Sequence, residues 1–271
     1  MLDRKRNEQQ TIDFYNKEYR KKHGPLLKKR SSPAQLFDIY SQFQDDRLRL
    51  IRPYLSREKK LLDIGCSAAT FLYQAKDYVK EIAGVEYDLA SANFAAKKCS
   101  CKVHNSSDNL PEDYFDIICL LQVLEHVYDP KIFLKKALKS LKKNGILFIE
   151  VPNLTDSLLY AYDIPNYNKF FFHSAHLSYF TEKSLSILLG KVGLKGKMHF
   201  IQDYNILNHL NWILEGTPQE NCVAAFSSPK LQFKNHYKKL EDFFCRVDSE
   251  YKDLLSKLKI ASLLFCIGTR K

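Results

Sequence analysis

Residues 60–72 read Lys60-Leu61-Leu62-Asp63-Ile64-Gly65-Cys66-Ser67-Ala68-Ala69-Thr70-Phe71-Leu72. A short apolar run closes on an acid, a glycine opens a tight turn, and small residues lead into a helix from Thr70. Small residues let a ligand approach the backbone, and a helix N-terminus favours a negative group. Glycine is scarce here, 9 of 271 residues, against a usual share of about 7%. Its position between a strand and a helix is therefore informative.

The same alternation extends outward. Glu81–Glu86 reads as a second strand, Leu89–Lys98 as a helix and Cys101–His104 as a short third strand. Phe115–Leu121 is almost wholly apolar, as expected of a strand covered on both faces. Pro130–Leu141 is a helix with proline in its first turn, stopped by Asn144-Gly145. Thr70–Val79 and Thr181–Val192 are further helices; Ile146–Val151, Lys197–Ile201 and Ser262–Gly268 are further strands. Upstream, residues 8–22 fit a charged helix that Gly24-Pro25 interrupts. Ser31-Ser32-Pro33 opens another, with Leu36, Ile39, Tyr40, Phe43, Leu48 and Ile51 at near-helical spacing. Strand–helix alternation predicts an α/β fold, a mostly parallel sheet with helices on both faces. Ligands bind such sheets at the carboxyl ends of the strands, so the loops at 65–69, 86–88 and 121–128 matter most. The chain divides into a basic N-terminal helical extension (1–54), a core (55–201), a helical insertion or cap (202–258) and a last core strand (259–271).

Composition narrows the function. Forty-two Lys/Arg against 31 Asp/Glu give a net charge of +11. Residues 1–30 hold ten basic and four acidic residues, so they supply +6 of it. That arm suits an anionic substrate or membrane surface, or is simply solvated. Its interleaved acids, and the lack of an aromatic RNA-binding motif, argue against nucleic acid. No apolar run is long enough for a spanning helix, and MLDRKRNEQQ lacks the apolar core of a secretory signal. Seven cysteines, several in apolar runs, read as buried thiols of a reducing, cytoplasmic compartment. Cys99-Ser100-Cys101 has no second pair, so no metal site is expected.

The ligand at the first loop follows from what the loop lacks. A dinucleotide would call for G-x-G-x-x-G and a nucleoside triphosphate for a P-loop; both are absent. S-adenosylmethionine carries no phosphate and needs an acceptor for its ribose hydroxyls. Glu86, at the end of the second strand and 21 residues after Gly65, stands where such an acid would be.

The stretch Phe115-Asp116 … Leu124-Glu125-His126-Val127-Tyr128-Asp129-Pro130 carries a family resemblance, supported by Leu141-Lys142-Lys143-Asn144-Gly145, Ile149-Glu150-Val151-Pro152-Asn153 and His176-Leu177-Ser178-Tyr179-Phe180-Thr181. In the same order, these motifs resemble class I S-adenosylmethionine-dependent methyltransferases, in the branch with the LEHV.DP signature, over about residues 55–200. The resemblance implies a Rossmann-like seven-stranded sheet and S-adenosylmethionine as cofactor. It places Asp63, Gly65 and Ser67 at the methionine end and Glu86 at the ribose, with Cys66 and Tyr87 also among the cofactor-binding residues. The family's adenine acid aligns with Ser106, and Asp108, two residues on, is the candidate for that role; Leu121 and Gln122 border the methyl-donor pocket. It departs from the family at Ser67 and Ala69, where glycine is usual. Ala69 is harmless if its backbone is helical and costly if φ is positive.

An alcohol acceptor needs a general base, and histidine suits neutral pH. His126, His173 and His176 are the candidates. The alternatives are that His126 fixes its loop and that His176 orients the helix after it. The aromatics at 160–172 fit a substrate lid or plain packing. Asn205–Trp212, before Gly216-Thr217-Pro218, resembles a tail of methyltransferases from surface-polysaccharide clusters. The sequence therefore predicts O-methylation of a sugar or glycan precursor. Methylation of RNA, a lipid or a small molecule is the second reading, and a non-catalytic cofactor-binding subunit the third.

Overall fold

In a computed structural model, residues 31–220, 222–229 and 237–270 are described; the helix expected at 8–22 and the basic arm lie outside them. The chain runs α1 (Pro33–Tyr40), α2 (Asp45–Ile51), β1 (Lys60–Ile64), α3 (Thr70–Ala75), β2 (Glu81–Val85), α4 (Leu89–Cys99), β3 (Lys102–His104), β4 (Phe115–Leu121), α5 (Pro130–Ser140) and β5 (Leu141–Pro152). It continues α6 (Ser157–Tyr160), α7 (Pro165–Phe171), α8 (Glu182–Lys191), β6 (Leu194–Ile201), α9 (Ile206–Glu215), α10 (Cys222–Phe226), α11 (Lys238–Lys257) and β7 (Leu263–Arg270).

The strands form one seven-stranded sheet of order β3-β2-β1-β4-β5-β7-β6. The first five lie parallel, and β7 runs antiparallel between β5 and β6. Successive side chains on a strand point to opposite faces. Leu62, Ile118 and Leu120 accordingly join Leu134 and Leu138 of α5 and Leu185 and Leu189 of α8 on one face. Leu61, Ile117 and Cys119 meet Ile51 of α2, Phe71 and Leu72 of α3, and Ala95 of α4 on the other. Each such leucine removed from water contributes about 1.5–3 kcal/mol.

Several boundaries differ from the sequence expectation, each for a local reason. The helix expected over 36–51 is two helices. Ser32 caps the first, accepting from Gln35 N, and Pro33 starts it. It ends because Gln42 donates to the Ile39 carbonyl and Gln44 to the Tyr40 carbonyl, satisfying its last turn with side chains. The helix expected over 70–79 stops at Ala75 and becomes a 3-10 turn over Lys76–Tyr78. β5 begins at Leu141, which pairs with Phe115; residues 142–145 bulge out before Ile146 pairs with Ile117. Asn144-Gly145 thus marks a bulge within the strand.

Within 202–258 lie α9, α10 and α11, and α11 packs against the edge strand β6. Asn205 caps α9 and its amide donates to the carbonyls of Ala224 and Ser227, which ties α10 down. Trp212 packs edge-on against Tyr167 at 5.0 Å between centroids. No described helix is long and apolar enough to cross a membrane.

Candidate active site

The carboxyl ends of β1, β2 and β4 carry the first group of residues. Gly65 has φ +81°, and a Cβ on it would lie 2.5 Å from Val123 Cγ2. Its N–H and that of Cys66 donate to the Val85 carbonyl at 2.8 and 3.0 Å, closing the turn onto β2. Ser67 and Ala69 also have positive φ, +49° and +60°. Ala69 therefore falls in the costly case. The cost is offset by two backbone bonds that hold the turn: Ala69 N donates to Cys66 O at 2.8 Å, and Tyr73 N to Ala69 O at 2.9 Å. Glu86 is buried and accepts from Ser67 N and Asp88 N, each at 2.8 Å. Its carboxylate is thereby oriented by both loops that border the site.

Asp63 lies on the floor of this turn, 3% exposed, with Oδ1 lacking any hydrogen-bond partner. Burial pushes its carboxyl up to about 8; Arg47 works against the shift, and Glu86 and Glu150 add to it. A buried acid with an orphaned oxygen, beside a glycine turn that leaves no room for a Cβ, fits the cationic methionine end of S-adenosylmethionine.

Leu121, Gln122, Cys66, Ser67 and Tyr87 line the same cavity, of about 1520 Å³, with Asp63, Gly65 and Glu86. Asp108 stands apart. It does not line the cavity; its carboxylate accepts from Ser106 Oγ at 2.8 Å and pairs with Lys136. Ser107 lines the cavity in its place.

All three histidines line it as well. His126 Nδ1 lies 2.9 Å from the Ala175 carbonyl. A carbonyl only accepts, so Nδ1 carries the proton and Nε2 holds the lone pair. The His126 ring packs 4.8 Å from that of His176, which lies 4.0 Å from that of His173. His173 Nδ1 accepts from Ala175 N at 3.3 Å, so the neutral ring carries its proton on Nε2. Glu125 is 1% exposed; burial raises its carboxyl to about 8, and Oε1 stands 3.8 Å from His126 Nε2, beyond hydrogen-bond range. Its backbone carbonyl accepts from Leu177 N and Ser178 N, which pins the histidine loop to the end of β4.

Sequence reasoning missed the opposite wall. Arg47, from α2, donates Nε and Nη2 to Glu150 at 2.9 and 2.5 Å. Burial alone would lower the Arg47 pKa, but the charge and hydrogen bonds of Glu150 prevail and raise it. Asp203 and Tyr204 follow β6, and Phe226 stacks on Tyr204 at 5.0 Å. Burial and then Glu150 push the Asp203 carboxyl up to about 7. One signal was available: β6 is antiparallel to β7, which is antiparallel to β5, so β6 also ends on the ligand edge. Arg47 offered none, because a basic residue on an amphipathic helix normally faces solvent.

A family model described as "Methyltransferase domain" matches residues 35–197. The chain belongs to the class I S-adenosylmethionine-dependent methyltransferases. It is 28% identical over 163 residues to the ubiquinone biosynthesis O-methyltransferase of Pelagibacter ubique, covering 53% of this chain and 68% of that one. A relative of the same name from Bradyrhizobium diazoefficiens is 31% identical over 35% of this chain and 40% of its own length. Among solved structures, a methyltransferase from Archaeoglobus fulgidus superimposes with a TM-score of 0.54 at 20% identity, over 85% of this chain and 94% of that one. The magnesium protoporphyrin IX methyltransferase of Synechocystis PCC 6803, with bound S-adenosylhomocysteine, gives 0.57 at 12% identity, over 98% and 100%. These two likenesses are of fold.

Proposed function

We propose that this methyltransferase acts on a hydroxyl group, with His126 as its general base. The observation that carries the proposal is the 2.9 Å bond from His126 Nδ1 to the Ala175 carbonyl. It fixes the tautomer whose Nε2 can take a proton. Bound S-adenosylmethionine supplies a methyl group already activated on a sulfonium, so the protein's task is largely positioning. Asp63 and the Gly65–Ser67 turn hold the methionine end, and Glu86 with Tyr87 the ribose. Leu121 and Gln122 border the methyl. His126 Nε2 would accept the hydroxyl proton as the acceptor oxygen bonds the methyl carbon and the S–CH3 bond breaks to leave S-adenosylhomocysteine, and His173 Nε2–H would donate to a neighbouring acceptor oxygen.

The acceptor class we favour is a sugar or glycan precursor. The Tyr204–Phe226 stack and the Phe43 edge on Phe226 offer apolar faces to a ring. Asn205–Trp212 contributes indirectly, since Asn208, His209 and Trp212 are buried in the cap and do not line the cavity. The two ubiquinone biosynthesis O-methyltransferases named above favour a second acceptor, a hydroxyl-bearing precursor in ubiquinone biosynthesis.

Methyl uptake from labelled S-adenosylmethionine, screened over nucleotide sugars, glycans and phenols, separates the two. On the acceptor found, His126→Asn is expected to lower kcat/KM by about 10²–10⁴ with S-adenosylhomocysteine affinity unchanged. Full activity in that variant would remove His126 from the base role.

A further inference from the structure

Glu150 stands on β5, 1% exposed, and nothing in the methyl-transfer scheme above uses it. Its carboxylate gathers donors from two directions. Arg47 of α2 supplies Nε and Nη2. Gln122, just past β4, supplies Nε2 at 3.1 Å. The backbone carbonyl of Glu150 also accepts the Gln122 N–H at 2.9 Å.

Gln122 needs holding. Its φ is +58°, a left-handed backbone that side-chain-bearing residues seldom adopt. Two bonds to a single residue keep it there. The side-chain bond also sets the amide, with Nε2 turned to Glu150. The next residue, Val123, is the one whose Cγ2 closes over Gly65. On the far side, Arg47 Nη1 donates to Gln44 Oε1 at 3.0 Å, and Gln44 Nε2 to the Tyr40 carbonyl at 2.8 Å. A continuous chain therefore runs from the end of α1, through α2 and Glu150, to Gln122, the neighbour of the residue packed on the cofactor turn.

We infer that Glu150 is a positioning residue that keeps α1 and α2 in register with the Gln122–Val123 turn around the cofactor loop. This rests on the reading of Gly65–Ala69 as the cofactor turn. A buried ion pair is a poor source of stability compared with an apolar pair of the same size. Its value here is geometric, because a misplacement of about 1 Å at a reacting site costs orders of magnitude in rate.

The test uses the full chain with Glu150→Gln, Arg47→Gln and the double variant. Hydrogen exchange on the ligand-free protein should show amides of residues 33–51 exchanging at least tenfold faster in Glu150→Gln, with β1 and β4 unchanged. Calorimetry should show S-adenosylhomocysteine bound about tenfold more weakly in each single variant and no weaker in the double, as for groups that act as a unit. KM for S-adenosylmethionine should rise more than kcat falls. Unchanged exchange over 33–51, or losses that simply multiply in the double variant, overturns the inference. If Glu150→Gln does not fold, Arg47→Gln cuts the same contact from the half-buried side and gives the same readouts. A wild-type chain that binds no S-adenosylhomocysteine overturns the cofactor reading and the positioning role with it; the exchange data still decide whether the clamp exists.

Discussion

Gly65, Ser67 and Ala69 put three positive φ values into five residues, and only the first is a glycine. Left-handed backbone costs a side-chain-bearing residue about 1–2 kcal/mol. The three positions differ in what replacement would do. At Gly65 a Cβ meets Val123 as well as an unfavourable φ. Gly65→Ala should therefore destabilise the fold by about 2 kcal/mol or more and abolish measurable S-adenosylhomocysteine binding; thermal unfolding and calorimetry check both. Asp63 gives a second expectation. With its carboxyl near 8 in the ligand-free protein, most molecules carry a proton there at pH 7. A cationic methionine end needs the ionised form. Affinity should rise with pH from 6 to 8, approaching about tenfold per unit, and level off above. Asp63→Asn should bind weakly with a flat profile. A flat profile in the wild type would place the cation elsewhere.

The cap depends on a buried chain of polar groups. Gln202 Nε2 donates to His209 Nε2 at 3.0 Å, and His209 Nδ1 then donates to Tyr251 OH at 2.8 Å. Burial, with Lys252 adding to it, lowers His209 to about 4. Between that value and about 6.5 the unfolded chain binds the proton that the folded chain excludes. Stability from this group is complete above about 6.5 and is lost as pH falls towards 4, about 3 kcal/mol in all. Asp63, Glu125, Asp156 and Asp203 act in the opposite sense, since burial raises each of them. Their folded forms hold protons more tightly, so their contribution is present below about 4 and fades as pH rises through 6–8. The measurement that isolates the histidine is the difference between wild type and His209→Gln in thermal midpoint from pH 7 to 4.5. That difference should shrink as pH falls.

Elements were legible in the sequence where one local pattern decided them. The strand run to Asp63, the apolar Phe115–Leu121 stretch and the Asp129-Pro130 helix start all fold as their own residues direct. Asp129 caps by accepting from Ile132 N. Boundaries failed where side chains several residues away decide the ending, as Gln42 and Gln44 do for α1. The site divided in the same way. Residues on strand ends could be placed by register, whereas Arg47 and the Tyr204–Phe226 wall come from segments whose pattern says only that they are helical. Asp108, two residues beyond the position that aligns with the family's adenine acid, is bonded to Ser106 and Lys136 and does not line the cavity.

At the scale of the molecule, β7 joins the edge strand β6 to the five parallel strands. Its residues pair with Ile146–Pro152 on one side and Leu194–Ile201 on the other. A chain ended at residue 258 would lose both ladders, leaving β6 unattached and the edge of β5 open. It should show no cooperative thermal transition and should bind a dye for exposed apolar surface, as loosely packed states do.

The same placement has a consequence for synthesis. Parallel strands β1 to β5 emerge first and can assemble in order, but Leu263–Arg270 must thread between β5 and a β6 made some seventy residues earlier. Until Leu263–Arg270 has emerged and paired, two strand edges remain open to any passing extended chain. The nascent protein is thus open to aggregation through the interval between the emergence of β6 and that of β7, after its cofactor turn has already been made.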